Sequence, residues 1–153
     1  MARPKRNFKP RQRLDADGNV IDPRTKMLEE WNPKTELGRK VKAGEITTIE
    51  EVMNSGKRIL ESEIVDAVIP NLESDFINVG QAKGKFGGGQ RRIFKQTQKK
   101  TKDGNRISFN ALAVVGNRDG YVGVGVGRSK ETVPAKDKAI RNAKLNIMQI
   151  GRG

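Results

Sequence analysis

The segment Tyr121-Val122-Gly123-Val124-Gly125-Val126-Gly127 constrains the fold of this 153-residue chain more than any other stretch. Strict alternation of valine with glycine has the period of a β-strand, in which successive side chains point to opposite faces. One face is then branched and apolar, and the other carries no side chains. Glycine inside a strand weakens it, and a face without side chains permits close approach to the backbone. A packed helix or a nucleic-acid backbone would use that approach.

The flanking sequence supplies the rest of a domain. Gly116-Asn117-Arg118-Asp119-Gly120 reads as a hairpin turn. Before it, Arg106 to Val115 alternates, with Ile107, Phe109, Ala111, Ala113 and Val115 on one face. Arg106, Ser108 and Asn110 begin the other face, and Leu112 and Val114 make its far end apolar. Ile93 to Thr97 is predicted as a further strand, followed by the basic loop Lys99-Lys100-Thr101-Lys102-Asp103-Gly104. A helix is predicted from near Val133-Pro134 to about Met148. It places Ala139, Ile140, Ala143 and Ile147 on one face, and Lys138, Arg141 and Lys144 on the opposite side. The order strand–strand–strand–helix predicts an α+β two-layer unit over residues 93–150.

Upstream the patterns are shorter. Residues 1–26 contain Pro4, Pro10 and Pro23 without helical or strand period, and we read residues 1–30 as a basic extended arm. Residues 31–79 are predicted as a helical extension. Asn32-Pro33 reads as an N-cap and first helical position, Leu37 and Val41 share a face, and Gly44 ends the helix. Thr48 with Glu51 has the spacing of a capping box, opening a helix through Val52 and Met53 that Gly56 stops. A further helix is predicted from about Ser62 to Ile69, ended by Pro70. Helices this short need each other or a partner surface. Residues 80–92 are rich in glycine and bases and are predicted as a linker or loop.

The chain has neither Cys nor His. That excludes Cys/His zinc sites, thiol nucleophiles, disulfides and the commonest general base near neutral pH, so no enzymatic role is expected. Hydrophobic residues make up 34%, which predicts a compact core over only part of the chain. No apolar stretch approaches the roughly 20 residues that span a bilayer. We therefore expect a soluble intracellular protein with no membrane partner.

Charge falls in blocks. The formal charge is +13, and residues 1–13 hold six bases and no acid. Residues 45–75 hold eight acids against two bases, whereas residues 83–106 hold nine bases against one acid. An ordinary solvated surface does not explain six bases in thirteen residues that lack apolar periodicity. Counterion release from phosphates does. The candidate RNA-binding cations are Arg3, Lys5, Arg6, Lys9, Arg11 and Arg13 in the arm; Arg91 and Arg92; Lys99, Lys100, Lys102 and Arg106 around the basic loop; Arg118 in the turn; and Arg128, Lys130, Lys136, Arg141 and Lys144 in and before the helix.

Other chemistry is weaker. Gly120 and Gly125 have P-loop spacing, but Val126-Gly127 stand where Lys-Ser/Thr is required, and the dinucleotide fingerprint fails at Arg128. Glu50/Glu51 and Glu61/Glu63 sit at helix starts, where they favour the macrodipole, and nothing nearby supplies acid–base partners. Trp31 reads as an anchor into a hydrophobic contact. Phe86 could stack on a base. No cofactor or metal is expected.

The run from Ile107 to Pro134, I-S-F-N-A-L-A-V-V-G-N-R-D-G-Y-V-G-V-G-V-G-R-S-K-E-T-V-P, followed by A-I-R-N-A-K-L-N-I, resembles the small-subunit ribosomal protein family numbered five. Upstream, W-N-P-K-T-E-L-G-R-K-V, I-T-T-I-E-E-V and E-I-V-D-A-V-I-P resemble the N-terminal extension of its archaeal and eukaryotic branch. The resemblance covers roughly residues 31–75 and 93–153. It implies a double-stranded-RNA-binding-domain-like β-β-β-α fold that binds small-subunit rRNA near the decoding region and the channel through which messenger RNA enters. It further implies a role in assembly and translational accuracy, cytoplasmic ribosomes as the location, and the small-subunit proteins numbered three and four as neighbours. Lys99, Lys100, Lys102 and Arg106 match the family's rRNA-contacting hairpin loop, and Arg128, Lys130 and Lys136 fall in the segment leading into its helix. The family has a second α/β domain beyond Gly151-Arg152-Gly153, so the resemblance reads this chain as lacking it. The other function compatible with the residues is a free-standing regulator that binds double-stranded RNA.

Overall fold

The computed structural model describes residues 23–69, 71–81, 89 and 91–151. The chain forms two compact units, residues 1–32 and 33–153. In the first, helix α1 spans Pro23–Glu30. This corrects the extended reading of residues 23–30. Pro23 starts a helix here, where its missing N–H has no bond to lose and its fixed φ already suits the helix. Trp31 follows, half-buried. The arm cations Arg3, Lys5, Arg6, Lys9, Arg11 and Arg13 lie outside the described residues.

The second unit begins with three short helices. Helix α2 is Glu36–Ala43, capped by Thr35, whose hydroxyl accepts from the Gly38 N–H at 3.1 Å. The cap expected at Asn32 is thus displaced to the hydroxyl residue that immediately precedes the helix. Gly44 ends α2 in the left-handed region at φ 81°, as its sequence position predicts. Helix α3, Ile49–Asn54, opens with the predicted capping box: the Glu51 N–H donates to Thr48 Oγ1, and the Thr48 N–H donates to the Glu51 carboxylate. Helix α4 is Ser62–Val68. Just before it, the Glu61 carboxylate accepts from the N–H groups of Lys34 and Thr35 at 3.0 and 2.7 Å, tying the starts of α2 and α4 together. Leu37, Val41, Ile49, Val52, Ile59, Ile64, Val65 and Ile69 are buried, so the three helices share the core that none could build alone. Pro70 lies outside the described residues.

The strands are β1 (Glu73–Ile77), β2 (Gly80–Gln81), β3 (Arg91–Arg92), β4 (Phe94–Thr101), β5 (Gly104–Gly116), β6 (Tyr121–Ser129) and β7 (Ile147–Gln149), with helix α5 (Thr132–Leu145) between the last two. β5 is central and every pairing is antiparallel. β6 runs along one edge of β5. On the other edge β4 and β1 lie end to end, β4 against residues 104–111 and β1 against 112–116. β7 extends the sheet beyond β6 at Tyr121–Gly123, and β2 with β3 forms a separate two-stranded ribbon.

Four expectations are corrected here. β1 lies in the region predicted as purely helical. Its Glu-Ser-Asp residues have little strand propensity, and pairing with β5 supplies what local preference does not. β4 runs to Thr101, so Lys99 and Lys100 are strand residues and the basic loop shrinks to the turn Lys102-Asp103. Gly104, at φ 110°, permits that tight reversal. The predicted linker contains β2 and β3 at its ends, while residues 82–88 and 90, including Phe86, lie outside the described residues. Gly80 sits so close to β4 that a Cβ there would fall 1.7 Å from the Phe94 carbonyl oxygen. Finally, α5 stops at Leu145, and Ile147 and Met148 belong to a strand. Asn146 ends the helix and donates to the Val124 carbonyl at 3.3 Å.

The glycine face of β6 belongs to the helix. A Cβ built on Gly123, Gly125 or Gly127 would lie 2.1 Å from backbone atoms of Ala143, Ala143 and Ala135 respectively. Ala135, Ala139 and Ala143 are fully buried, as are Ala113 and Val115 of β5. Small residues on both sides thus let α5 approach the sheet at backbone distance. Asn142 adds a bond to the Val126 carbonyl at 2.8 Å, covering the edge of β6 that β7 leaves open.

Candidate nucleic-acid interface

The β4–β5 hairpin, the end of β6 and the start of α5 converge on one groove of about 570 Å³. Lys99 of β4, Arg106 of β5, Arg128 of β6, Lys130 of the connection and Lys138 of α5 line it, with Glu131 as the single acid and Ile107 and Pro134 as apolar lining. These five cations lie up to 39 residues apart in the chain. The hairpin register brings the first two together, since Lys99 pairs directly with Arg106. Two like charges opposite each other across strands repel, so the placement costs stability unless an anion is present.

Arg128 is held in position. Its Nε and a terminal nitrogen donate to Ser108 Oγ at 3.2 and 3.0 Å, and Ser108 Oγ lies 2.9 Å from Thr97 Oγ1. A guanidinium fixed in this way loses less side-chain entropy on binding a phosphate, and its planar fork suits phosphate geometry.

The remaining candidate cations go elsewhere. Lys100 and Lys102 are exposed beside the groove on the hairpin tip. Arg118, beyond the opposite end of β5 and about 33 Å of strand from Arg106, adopts φ 58° and pairs with Glu73 at 2.7 Å. Lys136 places its ammonium 5.2 Å from the ring centres of both Phe76 and Phe94, a cation–π arrangement that points it away from the groove. Lys144 is half-buried and bonded to Asp66 at 2.6 Å, linking α5 to α4. Arg141 is exposed on the outer side of α5, and Arg91 and Arg92 are exposed on the small ribbon. The basic helix face expected for Lys138, Arg141 and Lys144 is therefore divided among three surroundings. Lys138, the groove residue absent from the candidate set, lies one helical turn after Pro134, a spacing that does mark it as facing the start of the helix.

Fold and site together define a small α+β domain, an antiparallel sheet backed by one helix, with its cations gathered at one end. Comparison with known proteins gives the particular family. Residues 93–151 match the family model for ribosomal protein S5, N-terminal domain. Over 126 residues the chain is 47% identical to small ribosomal subunit protein uS5 of Nanoarchaeum equitans, covering 82% of this chain and 54% of that one. The corresponding protein of Thermoplasma acidophilum is 46% identical over 127 residues (83% and 51%), and that of Methanocaldococcus jannaschii 45% over 126 (82% and 51%). This chain belongs to the ribosomal protein S5 family, and residues 93–151 are its N-terminal domain. It spans about half the length of the curated relatives it matches.

Proposed function

We propose that this chain is a structural component of the small ribosomal subunit that binds rRNA through the groove and performs no chemistry. The observation that carries this reading is the convergence of Lys99, Arg106, Arg128, Lys130 and Lys138 on one surface, with Arg128 already oriented by Ser108. The order β4-β5-β6-α5, with α4 packed on α5, supports a double-stranded-RNA-binding-domain-like fold. That class reads RNA by backbone shape and phosphate contacts rather than base edges. Lys100 and Lys102 extend the same surface, whereas Lys136 and Lys144 serve internal contacts. A site near the decoding region and the messenger channel, in cytoplasmic ribosomes and beside the proteins numbered three and four, follows from the family likeness.

Filter binding of the full chain to archaeal small-subunit and large-subunit rRNA at about 0.15 M salt tests the reading. It predicts at least tenfold preference for the small-subunit RNA, within the usual margin of specific over non-specific binding. Equal affinity for both RNAs and for a random duplex would identify a free-standing duplex-binding protein instead.

A further inference from the structure

Phosphate contacts leave two features of the groove unexplained. The first is its apolar lining. β5 pairs with β6 only over residues 109–116, so residues 104–108 run on without that neighbour, and the groove opens there. Its volume of about 570 Å³ lies within the range of sites that enclose a small molecule. Two aliphatic side chains line it from different elements, Ile107 from the sheet and Pro134 from the first turn of α5. Ile107 is 38% exposed, although Ala111 and Ala113 on the same face of β5 are buried. A phosphate gains nothing from such a surface. The flat face of an unpaired base does, since extruded bases pack between apolar side chains.

The second is Glu131. It lines the groove together with five cations, yet among the described residues its carboxylate has no ion pair, no hydrogen bond and no helix-cap bond. Against a surface of phosphates a free carboxylate only repels. Against bases it discriminates, because it offers two acceptor oxygens and no donor. Guanine alone presents two donors side by side, N1–H and the N2 amino group, while its O6 and N7 accept from Lys or Arg. Adenine and cytosine set a ring-nitrogen acceptor beside their amino donor, and uracil flanks its single N–H with two carbonyls. Each of those bases turns a lone pair toward a carboxylate. One acid among five cations therefore complements guanine, with its donors on Glu131 and its acceptors and phosphate on the bases. In a duplex those donors are held by cytosine, so the guanine has to be unpaired. Unpaired bases are also where proteins read RNA sequence.

We propose that the groove receives one unpaired guanine of the bound RNA, its base against Ile107 and Pro134 and its N1–H and N2–H donors on the Glu131 carboxylate. The proposal rests on the rRNA reading and sharpens it from phosphate contact to recognition of one base. Kethoxal tests it, because this reagent reacts with N1 and N2 of unpaired guanines. Archaeal small-subunit rRNA is probed free, with saturating full 153-residue chain, and with saturating Glu131→Gln. Hydroxyl-radical cleavage of the same samples records backbone contact. The full chain is expected to slow the kethoxal reaction at least tenfold at a guanine inside its backbone footprint. Glu131→Gln is expected to keep that footprint, restore the reaction and bind about tenfold more weakly, within what a bidentate base contact is worth. If Glu131 merely faces phosphates, the variant binds as tightly or more tightly, and the inference falls. A backbone footprint with no protected guanine, or with protection unaltered in the variant, also overturns it and leaves the rRNA reading intact. A lack of any backbone footprint overturns both.

Discussion

Arg128 and Lys136 carry the same charge within one short stretch, yet packing gives them different work. Arg128 lies in the groove with two donor atoms on Ser108, while Lys136 is taken up by two phenyl rings. Sequence shows the cations but not which neighbour each will find. Tyr121 makes the same point for a titrating group. It is the only tyrosine, its side chain is 7% exposed, and burial raises its pKa above the ordinary 10.0, with Glu50 and Asp119 adding to the rise. Because the folded value lies above the unfolded one, the neutral phenol contributes stability in full below about pH 10. That contribution is lost as pH rises through the folded value. Ultraviolet titration of phenolate formation is expected to show a midpoint above 10 in the folded chain and a return to 10 in denaturant. A midpoint at 10 in both states would mean that the ring is not buried in the folded chain.

At the level of elements, periodicity revealed what periodicity determines. The alternation of Ala111, Ala113 and Val115, the glycine face of β6 and the capping box of α3 were all legible, because each is a local pattern with one geometric solution. β1 and β7 were not legible. β1 depends on β5, about forty residues later, and β7 is three residues that become a strand only by lying beside Tyr121–Gly123. Which ligand the glycine face served was also open from sequence, and close backbone approach by α5 settles it. Gly125→Ala is expected to cost about 3 kcal/mol or more, since the new methyl would sit 2.1 Å from the Ala143 nitrogen, and both elements have backbone there. Gly44→Ala meets nothing within 4 Å and costs only the strain of its positive φ, about 1 kcal/mol. Urea denaturation of the two variants checks the contrast. Equal costs would show that α5 does not lie on the glycines.

Across the whole molecule, the acidic block of residues 45–75 and the basic blocks have separate roles. The acidic helices build a small core and tether α5 through Asp66 and Lys144, which leaves the groove cations unneutralised except for Glu131. An excess charge of +13 without a bound polyanion is self-repelling, and counterion release on phosphate contact relieves it. The candidate site was legible in part. The bases were visible in the sequence, but the selection of Lys99, Arg106, Arg128, Lys130 and Lys138 required the register of β4 on β5 and the placement of α5. The most direct test is the salt dependence of binding to small-subunit rRNA for the full chain and for a variant with Lys99, Arg106, Arg128 and Lys138 all changed to Ala. If these four side chains neutralise phosphates, the slope of log Kobs against log salt becomes shallower by about 3, at roughly 0.7–0.9 for each contact removed. Circular dichroism of the variant should be unchanged, since all four side chains are exposed. An unaltered slope in a folded variant would contradict the account and place the RNA on another surface.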